Sequence, residues 1–225
     1  MYKRQEWGSL HPCCLSGSAR FFKPAYSIFL INKWLPSIKG AVTTLTRGGS
    51  FADIGCGFGH STTMIAEQFS QSSIRGIDPH EQSIHEAQKI AEQKNLSNLT
   101  YEIASAENYS GEYDIISFFD CLHDMGDPEA AVSYAKTKLK AGGALMIIEP
   151  YADDEVSKNF NIIGQMYYSF STIACVPASK SQKVGMALGA QAGLKKLTNV
   201  LNNGGFSQVE MTYKTASNMV IVARV

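Results

Sequence analysis

The chain has 225 residues, no net formal charge and only 18% charged residues. That length holds one ample core with at most a small appendage, and no Lys/Arg stripe is present to hold nucleic-acid phosphates. A charged fraction below the ~25% usual for soluble domains points to apolar surface that something else covers.

In chain order, Met1-Tyr-Lys-Arg-Gln5 reads either as a short basic tail or as the mark of a chain truncated at its N terminus. Pro24 to Ile38 then carries apolar residues on helical spacing, Phe29, Leu30 and Trp34 among them, and predicts a helix. Lys23, Pro24, Asn32 and Lys33 interrupt this most hydrophobic stretch, so it is no membrane span, and no basic start with an apolar core marks a signal peptide. The five cysteines, Cys13, Cys14, Cys56, Cys121 and Cys175, are odd in number and lack C-x-x-C spacing. They describe a reducing, cytoplasmic protein rather than a disulfide framework.

Phe51-Ala-Asp-Ile-Gly-Cys-Gly-Phe-Gly59 is a short apolar strand that runs into glycines at alternate positions. A second strand, Ser73 to Asp78, ends in an acid. A helix from Glu81 to Asn95 follows, then strands at Leu99 to Ile103 and Tyr113 to Phe119, a helix from Pro128 to Leu139, a Lys140-Ala-Gly-Gly143 turn and a strand from Ala144 to Ile148. Apolar β-branched runs alternating with helical patterns predict parallel βαβ units, an α/β doubly wound sheet. Tyr151 to Ala190 is a long insertion with aromatic residues Phe160, Tyr167, Tyr168 and Phe170, and long segments at such places are usually functional. A helix over Ala192 to Asn202, stopped by Gly204-Gly205, and a hairpin from Phe206 to Met211 and Val220 to Val225 close the chain. Residues 1–45 are thus expected to be a tail and cap helix, and residues 46–225 the main domain carrying its insertion at about 151–190.

Ligands of such sheets bind outside the carboxyl ends of the strands. A dinucleotide site wants G-x-G-x-x-G, but its sixth position here is His60. The glycines fall at Gly55, Gly57 and Gly59, with Asp53 two residues ahead, where an acid would repel pyrophosphate and attract a sulfonium. On this acid and G-x-G-x-G the chain resembles the class I methyltransferases. The resemblance implies S-adenosylmethionine as cofactor and a Rossmann-like, mostly parallel seven-stranded sheet with one antiparallel strand. It assigns the cofactor to Asp53, Gly55, Cys56, Gly57 and Gly59, with Asp78 and Pro79 at the ribose, Ser105, Ala106 and Glu107 around the adenine, and Asp120 at the methionine end. Glu107 and Asp120 also suit helix caps.

Leu122-His-Asp-Met-Gly-Asp127 resembles the catalytic segment of small-molecule O-methyltransferases. Physically, a phenol titrates near ~10 and must lose its proton to attack, a task His123 can perform as general base. Asp124, or Glu149 at the end of the fifth strand, would fix its tautomer. Asp124 also reads as the cap of the helix at Asp127-Pro128. A magnesium held by Asp120, Asp124 and Asp127 is the rival reading, but no further ligand is identifiable and no metal is expected. The run Arg20-Phe-Phe-Lys-Pro24, the segment Phe119 to Pro128 and Gly185 to Gly193 are similar to the catalytic half of bacterial winged-helix-fused methyltransferases. The expected acceptor is a small molecule, with no nucleic acid and no membrane as partner and a homodimer left open. The competing readings are a regulatory cofactor-binding module without catalysis and a nicotinamide oxidoreductase.

Overall fold

The computed structural model describes residues 4–225; the first three residues of the unusual N-terminal pentapeptide lie outside them. Helix α1 (Pro12–Ala25) is capped by His11, whose ring accepts from the Cys13 N–H, and has Pro12 in its first turn. Pro24 has no N–H to give to the preceding turn, and immediately after it the helix widens into π turns over Tyr26–Trp34. Tyr26, Leu30 and Trp34, four residues apart, form its buried stripe. Helix α2 (Ala41–Thr46) leads into the sheet.

Seven strands follow: β1 (Ser50–Ile54), β2 (Ser73–Asp78), β3 (Leu99–Ile103), β4 (Tyr113–Phe119), β5 (Leu139–Pro150), β6 (Gln208–Lys214) and β7 (Asn218–Arg224). Their order is β3-β2-β1-β4-β5-β7-β6, and β7 alone runs antiparallel to its neighbours. This is the expected mixed sheet. β5 begins earlier than the sequence suggests, because Leu139 already pairs with Tyr113. The Lys140–Gly143 turn is then bypassed as an irregularity before Ala144 pairs with Ile115.

Neighbouring residues feed opposite faces. Phe51, Ile115, Met146 and Ile148 pack on one side with the Tyr26–Trp34 stripe and α3 (His60–Gln68). Ala52, Ile116, Leu145 and Ile147 pack on the other with α5 (Pro128–Lys138) and α8 (Gly193–Asn203). Helix α4 (Glu81–Gln93) covers β2 and β3. The insertion folds as α6 (Ile162–Phe170), π turns over Ser171–Cys175, and α7 (Val176–Ser181). Among the described residues no helix is long and apolar enough to cross a membrane.

Candidate active site

The carboxyl ends of β1, β2, β4 and β5 open on a cavity of about 1130 Å³. Its far walls come from the N-terminal segment, with Trp7, Leu10, Phe21, Phe22 and Tyr26, and from the insertion, with Tyr167, Phe170 and Ile173. Phe21 and Phe170 meet there, ring centroids 5.4 Å apart. Of the insertion's other aromatic residues, neither Phe160 nor Tyr168 lines this cavity, and both are exposed. Acids line it at Glu6, Asp78, Asp120 and Asp124; no Lys or Arg among the described residues does.

The glycine turn has the backbone its composition requires. Gly55, Gly57 and Gly59 sit at φ 72°, 52° and 69°, a region that costs other L-residues energy. A Cβ at Gly57 would meet only open space, and the residue faces the cavity, so the missing side chain leaves bare backbone to a ligand. At Gly59 the constraint is packing, since a Cβ would strike the Tyr101 hydroxyl.

Asp78, at the end of β2, lines the cavity with Pro79. Its Oδ2 accepts from the Gly57 N–H at 2.9 Å and its Oδ1 from the His80 N–H at 2.8 Å. Burial raises its carboxyl; these two bonds oppose the rise. Each oxygen keeps a free lone pair.

Asp53 is placed differently from the expectation. It is fully buried and does not line the cavity; it stands beneath the turn, where Ser61 Oγ and Thr62 Oγ1 donate to Oδ2 at 2.6 and 2.8 Å. Burial pushes its carboxyl up to about 7 against the pull of these hydroxyls and Ser117. Its contact with the cavity is indirect, through the first turn of α3. Ser105 lines the cavity, but Ala106 and Glu107 do not, and Glu107 is exposed.

Asp120 leaves β4 in the left-handed region, φ 49°, which a short acid tolerates better than most side chains. Tyr26 donates its hydroxyl to Oδ2 at 2.9 Å and Asn218 its amide to Oδ1 at 3.1 Å. Burial, followed by the charge of Glu149, pushes this carboxyl up to about 8. Sequence reasoning missed both partners. The visible signal for Asn218 was an amide heading the apolar run Met219–Val222; for Tyr26 it was a phenol on the helix's buried stripe.

His123 follows β4 in a short 3-10 turn, Leu122–Asp124, and is almost wholly buried while still touching the cavity. Nδ1 bonds Glu149 Oε2, and the His123 N–H donates to Oε1 at 3.3 Å. Nε2 lies 3.2 Å from Asp124 Oδ1. That is an ion-pair separation without hydrogen-bond alignment, and this buried Oδ1 has no hydrogen-bond partner. Burial alone would depress the imidazole's pKa; the charges of Glu149 and Asp124 overturn that effect and hold it well above the ordinary value. Glu149 is buried and does not line the cavity, so it acts on His123 from behind.

The helix cap assigned to Asp124 belongs instead to Asp127, which accepts from the Ala130 N–H at 3.0 Å. With Asp127 so engaged, Asp120, Asp124 and Asp127 do not gather into a metal-binding set among the described residues.

The fold is that of a class I methyltransferase. The family model described as a methyltransferase domain matches residues 45–205, and the chain belongs to that family. It is 26% identical over 129 residues to a ubiquinone biosynthesis O-methyltransferase of Acinetobacter baylyi, covering 54% of this chain and 51% of the relative. An O-methyltransferase family protein from Burkholderia thailandensis superposes with a TM-score of 0.69 at 16% identity, over 94% of this chain and 58% of that one. Human N-acetylserotonin methyltransferase in complex with SAM gives 0.66 at 15% identity, over 93% and 56%. The chain spans about half the length of the curated relatives it matches.

Proposed function

We propose that the protein transfers a methyl group from S-adenosylmethionine to an oxygen of a small, flat, largely apolar molecule, with His123 as general base. The observation that carries this reading is a cavity in which a bare glycine turn, a half-free Asp78 and a Glu149-oriented imidazole share one wall. The donor set suits the cofactor. Acidic side chains, with no Lys or Arg lining the cavity among the described residues, favour a sulfonium and disfavour a pyrophosphate, which weighs against the nicotinamide alternative. When bound, the cofactor supplies an electrophilic methyl group.

Asp78 would hold the ribose hydroxyls, Gly55 and Gly57 would admit the ligand close to the backbone, and Ser105 would border the base. His123 would take the acceptor's proton at Nε2, while Glu149 fixes Nδ1–H and steadies the imidazolium. Trp7, Phe21, Phe22 and Phe170 would exclude water and sandwich a planar acceptor. Residues 1–45 would serve as the cap over this cavity. The free state of all five cysteines supports a cytoplasmic setting.

One feature favours a second reading, a cofactor-binding module without turnover. Flanked by two carboxylates, His123 carries a proton that must leave before it can accept another. An acceptor screen with radiolabelled cofactor, run beside S-adenosylhomocysteine calorimetry, separates the two. Binding with a methylated phenol supports the enzyme; binding with no product across a broad panel supports the module. No binding at all sinks both.

A further inference from the structure

Beyond the proton chemistry assigned to His123, three side chains of different chemical type converge at one point of the cavity wall. His123 Nε2, Asp124 Oδ1 and Cys175 Sγ lie within 4.8 Å of one another, and all three residues line the cavity. In a tetrahedral site with bonds of ~2.0–2.3 Å, ligand atoms stand ~3.3–3.8 Å apart. Nε2 and Oδ1, at 3.2 Å, already have that spacing. The sulfur lies within 4.8 Å of both, a separation that a small side-chain adjustment can close.

Three further features mark the cluster as a cation site. Buried Asp124 Oδ1 accepts no aligned hydrogen bond and has the protonated edge of His123, 3.2 Å away, as its positive neighbour, a place that a cation can take over. The far nitrogen of His123 is tied to Glu149, the carboxylate–histidine pairing that orients metal-ligating imidazoles and raises their donor strength. Among the described residues, no Lys or Arg lines the cavity to compete for the acid. Mixed nitrogen, oxygen and sulfur donors select a borderline ion over hard magnesium or calcium, which prefer all-oxygen shells.

We propose that His123, Asp124 and Cys175 bind a divalent cation of the zinc class, with a fourth position open to the cavity. Loading releases the imidazole and thiol protons to solvent, since the ligating forms are neutral imidazole, carboxylate and thiolate. The ion occupies the Nε2 lone pair, so a loaded protein has no free base. That consequence for turnover rests on the reading of His123 as base; the site itself does not.

Cobalt(II), titrated into the whole chain, is the probe. The expected result is one equivalent bound, with sulfur-to-cobalt charge-transfer absorption and the intense visible bands of a tetrahedral ion, both lost on adding zinc. Cys175→Ser should abolish the charge-transfer absorption and weaken cobalt at least tenfold. Asp124→Asn should weaken it by a similar factor with the sulfur band retained. The exposed pair Cys13 and Cys14 is the control, and changing both to Ser should alter nothing. The proposal is overturned if wild type shows no such absorption, if the band survives Cys175→Ser, if it vanishes with Cys13 and Cys14, or if Asp124→Asn binds cobalt unchanged. S-adenosylhomocysteine calorimetry on the same samples keeps the two readings apart. Cobalt bound without nucleoside sinks the methyl-transfer function alone, and nucleoside bound without cobalt sinks the metal site alone.

Discussion

Asp78→Ala tests the cofactor half of the site most directly. The wild-type carboxylate already accepts from two backbone N–H groups, at 2.9 and 2.8 Å, which leaves one lone pair per oxygen for the two ribose hydroxyls. A hydrogen bond to a charged group contributes ~1.5–3 kcal/mol. Both new bonds draw on one partly desolvated carboxylate, so their combined loss should stay near ~1.5–3 kcal/mol rather than double. That corresponds to S-adenosylhomocysteine binding about 10- to 150-fold more weakly in calorimetry. The loss of the bonds to Gly57 and His80 also loosens the turn, and a 2′-deoxy nucleoside separates the two effects. Wild type should lose affinity when the 2′-hydroxyl is removed, whereas Asp78→Ala should scarcely notice. Equal affinity of wild type and variant, or an undiminished deoxy penalty in the variant, would refute the ribose role.

Other expectations follow from the same geometry. His123→Ala should leave nucleoside affinity within about twofold and cut turnover on the order of 10²–10⁴, measured at saturating cofactor; an unaltered rate removes it from the mechanism. Gly57→Ala places a methyl in the cavity and a side chain at φ 52°; it should cost about 1 kcal/mol of stability and weaken cofactor binding more than tenfold. Tyr26→Phe deletes one buried hydrogen bond to Asp120, a loss of about 1 kcal/mol in urea denaturation. Stability should also fall as pH rises. Asp53 and Asp120 bind protons more tightly folded, with carboxyls near 7 and 8, than unfolded, near ~4. The native state therefore holds more protons between pH ~4 and ~8 and loses its advantage across that window. Melting temperatures should decline from pH 5 to 8, and Asp120→Asn should flatten the decline; a flat wild-type profile counts against buried protonated acids.

Much of the sheet and its ligand end was legible because strand ends announce themselves. Glycines at alternate positions after Phe51–Ile54, and an acid closing Ser73–Asp78, leave few other arrangements of a parallel sheet. The orientation of Asp53 was not legible. Both faces of a central strand are covered, and only the hydroxyls of Ser61 and Thr62 reveal that this acid supports the turn from below. Contacts between distant parts of the chain were equally hidden. Tyr26 and Asn218 reach Asp120 across 94 and 98 residues, and Cys175 meets His123 only because the insertion folds back onto the Leu122–Asp124 turn after β4. Periodicity reports which face is apolar, not which partner fills it.

The cavity draws its two ends from separate stretches of chain. In the proposed function the nucleoside end is written into strand termini that the sheet cannot relinquish, whereas the opposite end is lent by residues 6–26 and the segment around residues 167–175. If that assignment holds, a lineage, or a library confined to those two stretches, would retool acceptor choice while the donor grip is inherited unchanged.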